Sequence, residues 1–151
     1  IKTDRNKYSA RIIVIASGTK PKELVMPVPE KGRSRIYYEI VNLKNIKNKK
    51  IAIIGSGDAA FDYALSLSKN NRVYILNRKE PTKCLPILFR RCKKNKNIRY
   101  FNLIDIGRIE YKDKKLILYS RNKRVIVVDY LVVAIGRKPN FDFLSNNIRK
   151  K

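Results

Sequence analysis

Four stretches of the chain are apolar without alternation: "RIIVIA" (11 to 16), "IAII" (51 to 54), "RVYIL" (72 to 76) and "YLVVAI" (130 to 135). A strand with one solvated face would alternate, so runs of this kind suit parallel strands covered on both faces. Between the second and third runs, "DAAFDYALSLSKN" switches to a helical period, with Ala60, Ala64 and Leu67 on one face and Phe61, Leu65 and Ser68 beside it. Asp58 suits the positive end of that helix, and "KNN" at 69 to 71 is a stop signal. A second helix is predicted through "LPILFRRCKKN" and a further strand at "IRYFNL". Strand, helix, strand, helix, strand describes half of a doubly wound α/β sheet.

From Ile106 to Val128 the pattern changes: "GRIEY", "KLILYS" and "RVIVV" are separated by the short polar breaks "KDK" and "RNK". Breaks of that length predict an antiparallel three-stranded meander. "TKPKELVMPVPEKGRS" (19 to 34) reads as a loop on its prolines, and a short helix is predicted over Tyr37 to Leu43. The expected fold is α/β, a Rossmann-like parallel sheet with the meander inserted before its last strand.

The turn after "IAII" carries the first candidate chemistry. Gly55, Gly57 and Ala60 stand at the small positions of a G-x-G-x-x-G/A fingerprint, where the glycines allow a tight turn and close approach of a pyrophosphate to backbone. Ser56, Asp58 and Ala59 complete the segment, and the helix that follows directs its unpaired amides at the same point. Small residues at such a turn also serve packing alone. The buried strand before the turn, the amphipathic helix after it and a second strand ending about 20 residues further on favour dinucleotide binding.

The end of that second strand distinguishes the two nicotinamide dinucleotides. An acidic residue there would accept from the ribose 2′-hydroxyl of NAD, whereas this chain has Asn77, Arg78 and Lys79. A guanidinium grips phosphate oxygens in a forked geometry and an ammonium adds a point charge. NADP is therefore the favoured ligand, with NAD possible.

Composition narrows the chemistry. There are 151 residues and no histidine, so His-based triads, bases and metal sites are excluded, and no side chain stands out as a catalytic acid, base or nucleophile. No metal site is expected. Cys84 and Cys92, the two cysteines, match neither a C-x-x-C pair nor a zinc spacing and read as reduced, incidental thiols. With no apolar run long enough for a membrane span, a cytoplasmic protein is expected. The formal charge of +24 is spread through segments such as "LKNIKNKK" and "RRCKKNKN". It reads mainly as a solvated basic surface. An alternative function stays open: a basic binding module on a Rossmann scaffold, serving nucleic acid or an acidic protein partner.

Three motifs in order carry a resemblance. "IVIASGTKP" (13 to 21), "IAIIGSGDAAFDYAL" (51 to 65) and "LVVAIGRKPN" (131 to 140) resemble, in turn, the segment leaving the FAD domain, the nicotinamide-domain glycine loop and the returning segment of the pyridine nucleotide-disulfide oxidoreductases. The likeness is to the thioredoxin reductase type and its ferredoxin–NADP reductase relatives. It implies a hydride passed from NADPH to FAD and on to a disulfide, ferredoxin or other acceptor, with a homodimer when full length. It implies junction strands over 1 to 20, an NAD(P)-binding domain over 21 to 136 and a return towards the FAD domain over 137 to 151. Gly55, Gly57, Asp58, Ala59 and Ala60 would line the pyrophosphate, Arg78 with Lys79 the adenosine 2′-phosphate, and Ala134, Ile135 and Gly136 the nicotinamide end, with Ser56 and Asn77 also among the cofactor-binding residues.

The departures carry as much information as the matches. Thioredoxin reductases have a C-x-x-C pair shortly before the glycine loop, where this chain reads "GRSRIYYEIVNLKN", so the cysteine-lacking relatives fit better. The chain has no FAD fingerprint before residue 11 and no Gly-Asp flavin motif after 140, and it begins without Met. The expectation is a nicotinamide-nucleotide domain from a longer flavoenzyme or a truncated relative, with no membrane partner and nucleic acid disfavoured.

Overall fold

A computed structural model gives the fold of residues 1–144. In chain order the elements are β1 (Thr19–Pro21), a 3-10 turn (Glu30–Arg35), β2 (Ile36–Tyr37), a second 3-10 turn (Val41–Leu43), β3 (Lys50–Ile54), α1 (Asp58–Leu67) and β4 (Arg72–Leu76). They continue with α2 (Pro86–Lys94), β5 (Ile98–Phe101), β6 (Ile106–Lys112), β7 (Lys115–Ser120), β8 (Val125–Val128), β9 (Tyr130–Val133) and β10 (Arg137–Pro139). The chain forms two compact units, one from Pro21 to Arg137 and one from Ile1–Lys20 with the chain from Lys138 on.

The larger unit is built on a five-stranded sheet of order β2-β9-β3-β4-β5, in which every neighbouring pair is parallel. Its strands lack alternation because both faces are covered. Ile51, Ile53, Val73, Ile75 and Val132 face α1 and α2, joining Ala60, Phe61, Ala64, Leu67, Leu88 and Cys92 in one core. Ala52, Leu76, Leu131 and Val133 join Ile109, Leu116, Leu118 and Val128 of the meander in a second core. The helices share one face, and the antiparallel sheet β6-β7-β8 covers the other. Phe61 is fully buried and contributes about 2–3 kcal/mol by leaving water.

Helix α1 owes its position to the small residues on its inner face: Ala60 and Ala64 are fully buried, so its backbone lies close to the sheet. Its end is closed by side chains. Ser68 Oγ donates to the Leu65 carbonyl at 3.0 Å and Asn71 Nδ2 donates to the Leu67 carbonyl at 3.0 Å. Carbonyls orphaned at a helix C-terminus are thereby satisfied within the fold.

Three expectations are corrected. "RIIVIA" forms no strand: Ile12 and Val14 are 82% and 84% exposed, and Ile36–Tyr37 takes the edge position beside β9. An apolar run reports a demand for a partner surface, not which surface supplies it. The predicted helix over Tyr37 to Leu43 is instead the end of β2 followed by a single 3-10 turn at Val41–Leu43, since Tyr37 packs edge-to-face on Tyr130 across the sheet, ring centroids 6.0 Å apart. The loop of 19 to 34 contains β1 and the 3-10 turn Glu30–Arg35, where Gly32 lies buried close to Tyr111 and Leu116.

In the smaller unit, β1 and β10 form a two-stranded ribbon. Ser17 Oγ donates to the Asn140 carbonyl at 2.7 Å, and Lys20 pairs with Asp142 at 2.5 Å. The predicted return segment, 137 to 151, lies outside the described residues from position 145.

Candidate dinucleotide site

The strand order places the candidate residues together. From β3 the chain passes outward to β4 and β5, then returns to β9 on the other side of β3. The C-terminal end of β3 is thus a topological switch point, the position at which open α/β sheets form a crevice. Three segments meet there: Gly55–Asp58 after β3, Asn77–Lys79 after β4 and Ala134–Gly136 after β9.

Each glycine has a separate reason. Gly55 sits at φ +126°, and a Cβ on it would stand 2.2 Å from the Ala134 carbonyl oxygen, so only glycine lets β3 and β9 end side by side. The Ala134 amide donates to the Ile54 carbonyl at 2.8 Å and the Gly55 amide to the Leu76 carbonyl at 3.1 Å. Gly57 is different. A Cβ there would meet nothing within 4 Å, so its small size serves open space above the turn rather than packing. Gly57 is also the N-cap of α1 and offers no side-chain cap, which leaves the first amides of the helix, at Asp58 and Ala59, without partners inside the helix. Ala59 is exposed and Ala60 buried, the latter amide donating to the Gly57 carbonyl at 3.0 Å.

The glycine turn is bound to the loop after β4 by side chains. Ser56 Oγ donates to Asn77 Oδ1 at 2.7 Å, the Lys79 amide donates to the same oxygen at 3.2 Å, and Asn77 Nδ2 donates to the Tyr100 hydroxyl at 2.8 Å. Thr82 Oγ1 and the Lys83 amide both donate to the Ser56 carbonyl, at 2.7 and 3.2 Å. Asp58 Oδ1 accepts from the Leu85 amide at 2.7 Å. The loop 77 to 85 is therefore strapped across the turn, with Arg78 and Lys79 exposed on it. Asn77 itself is 3% exposed and positions the loop through its amide group. Burial pushes the Tyr100 phenol up from its usual range, and the bond to Asn77 opposes the shift.

Thr82, Lys83 and Tyr100 are parts of this network that the residue pattern alone misses. Their bonds join positions 23 to 27 residues apart and leave no local periodic trace. Beside the third segment, Tyr63 donates to Glu39 Oε2 at 2.5 Å, and Arg137 pairs with the other oxygen of the same carboxylate. Burial, followed by the bond to Glu39, pushes the Tyr63 phenol up to about 12. The bonds from Tyr63 and Arg137 hold Glu39 below the ordinary carboxylate range. Gly136, at φ +110°, gives its carbonyl to the Lys22 amide at 2.9 Å. Ile135 is 38% exposed. Among the described residues no group of three or more Cys, Asp and Glu is arranged to hold a metal ion, and no helix is long and apolar enough to cross a membrane.

An uncapped helix start, an open glycine and a pair of exposed cations strapped beside them meet at the C-terminal end of a Rossmann-like parallel sheet. Comparison with known proteins gives the family: residues 1–151 match the pyridine nucleotide-disulphide oxidoreductases, and the chain belongs to that family. It is 29% identical over 146 residues to a ferredoxin–NADP reductase of Lactobacillus acidophilus, covering 91% of this chain and 47% of the relative. It is 30% identical over 160 residues to a thioredoxin reductase of Buchnera aphidicola, covering 97% of this chain and 50% of the relative. Lactococcus lactis thioredoxin reductase in its FR conformation shares the fold, with a TM-score of 0.74 and 23% identity over 85% of this chain and 46% of that one. The chain spans about half the length of the curated relatives it matches.

Proposed function

We propose that this chain is the NADPH-binding domain of an FAD-dependent oxidoreductase in which hydride passes from NADPH to flavin and on to a ferredoxin, a disulfide or another acceptor. The observation that supports it most is the strapping of the Arg78–Lys79 loop to the glycine turn through Ser56, Asn77 and Thr82. It sets two phosphate-recognition elements at fixed separation, as a dinucleotide with an extra 2′-phosphate requires.

The residues fit the cofactor. Gly57 leaves the space a pyrophosphate would fill, and the amides of Asp58 and Ala59 with the positive end of α1 would bind its oxygens. Arg78 and Lys79 would hold the 2′-phosphate. Ala134, Ile135 and Gly136, at the end of the neighbouring strand, would border the nicotinamide. The bound nucleotide supplies the hydride; the protein supplies position and charge. No side chain here is assigned a proton to carry.

Residues 32 to 45 hold no cysteine, which favours acceptors of the ferredoxin–NADP reductase relatives over disulfide reduction through a C-x-x-C pair. The FAD domain and the second subunit of a homodimer belong to the proposed whole protein. The test is titration of the 151-residue chain with NADPH, followed by nucleotide fluorescence. Saturable binding of one equivalent is expected, and no binding at millimolar NADPH would defeat the proposal.

A further inference from the structure

The opposite end of the same sheet, at the starts of its central strands, carries a second concave site. At the N-terminal ends of β3 and β4 a cleft of about 540 Å³ is lined by Lys47, Lys49, Lys50, Lys69 and Arg72, with four asparagines between them. No acidic residue lines it. Among the described residues, none of the five cations forms an ion pair, although six such pairs are made elsewhere. Asp129, on whose carboxyl the Lys49 charge also acts, is committed elsewhere: it accepts from the Lys50 amide at 2.8 Å and pairs with Lys115 at 2.7 Å.

The cations are held in place by the backbone that carries them. Asn71, 5% exposed, donates to the Ile46 carbonyl at 2.8 Å and accepts from the Lys49 amide at 3.1 Å. The Asn48 amide donates to the Asn70 carbonyl at 2.8 Å and the Arg72 amide to the Lys49 carbonyl at 2.9 Å. Asn97 Nδ2 adds a bond to the Ser68 carbonyl at 2.9 Å. The loops 46 to 50 and 69 to 72 are thus joined at several points, and their like charges are kept together against mutual repulsion.

A lysine after a helix commonly answers the helix dipole alone. Here that explanation covers Lys69 only, and the carbonyl end of α1 is already capped by Ser68 and Asn71. The volume falls in the range of small-ligand sites. Its lining has no aromatic or aliphatic side chain, so nothing in it would stack a base or cover an apolar group. Charge density and compact size match a ligand made almost wholly of phosphoryl oxygens.

We infer that this cleft is a binding site for a compact oligophosphate, a ligand of several linked phosphoryl groups without a base, separate from the dinucleotide site. Inorganic tripolyphosphate is the probe, titrated calorimetrically into the 151-residue chain at low salt. One equivalent is expected to bind at this site at least about tenfold more tightly than inorganic monophosphate. Lys47→Ala with Lys69→Ala, both exposed and outside every core, should weaken it by about tenfold or more, while Arg78→Ala with Lys79→Ala leaves it within twofold. Unchanged affinity in the first variant, or loss confined to the second, overturns the inference. So does tighter binding of a base-bearing single-stranded oligonucleotide that displaces the tripolyphosphate.

Discussion

The hydroxyl of Ser56 lies 2.7 Å from Asn77 Oδ1, joining the turn after β3 to the loop after β4 through one short bond. Asn77 is nearly inaccessible, yet it stands next to the two exposed cations proposed for the 2′-phosphate. Asn77→Ala removes the acceptor for Ser56 and Lys79 and leaves Tyr100 without its donor. NADPH affinity should fall by about tenfold, the scale of the net contribution of one of these three bonds. The NADPH titration checks it, with circular dichroism showing that the fold remains.

The two glycines of the turn should respond in opposite ways. Gly55→Ala places a methyl group on the Ala134 carbonyl in a backbone conformation that L residues rarely adopt, and should cost about 3 kcal/mol or more of stability. Gly57→Ala meets open space, should leave the urea midpoint nearly unchanged, and should weaken NADPH binding by filling the proposed pyrophosphate position. Equal destabilisation by both would show that the turn serves packing alone.

The thiols differ in exposure. Cys92 is 2% exposed, and burial first, then the charges of Cys84 and Asp62, pushes its thiol up to about 11. Cys84 is partly exposed. Iodoacetamide at pH 8 should label Cys84 in the native chain and reach Cys92 only on unfolding, as peptide mapping would show.

Acid stability should depend on Asp129. Burial alone would raise its carboxyl, but the bonds from Lys115 and the Lys50 amide hold it below the ordinary 3.8. A carboxyl depressed in the folded state contributes its full stability above the unfolded value and loses it as the pH falls through the folded one. Asp129→Asn should therefore lower stability at pH 7 and flatten its decline below about pH 4, measured by urea unfolding across that range.

The parallel core was legible because "IAII", "RVYIL" and "YLVV" are covered on both faces, which erases alternation in a way no surface strand would. The meander was legible for the complementary reason, its short polar breaks between apolar runs. "RIIVIA" carries the same signal with no comparable burial, and Tyr37 reads locally as the start of a helix because only the register of Ile36–Tyr37 with Leu131 and Val132 makes it a strand. Within the candidate site, glycines and cations can be read from residue type. The Ser56–Asn77–Tyr100 chain cannot, since it exists only once β3, β4 and β5 lie side by side.

The proposed function rests on Arg78 and Lys79 selecting a 2′-phosphorylated dinucleotide. Dissociation constants for NADPH and NADH, measured on the unaltered chain and on Arg78→Glu with Lys79→Ala, test it most directly. The substitutions should weaken NADPH by at least about tenfold, the scale of one charge-assisted bond, while NADH changes by less than about twofold. Equal weakening of both nucleotides would contradict it.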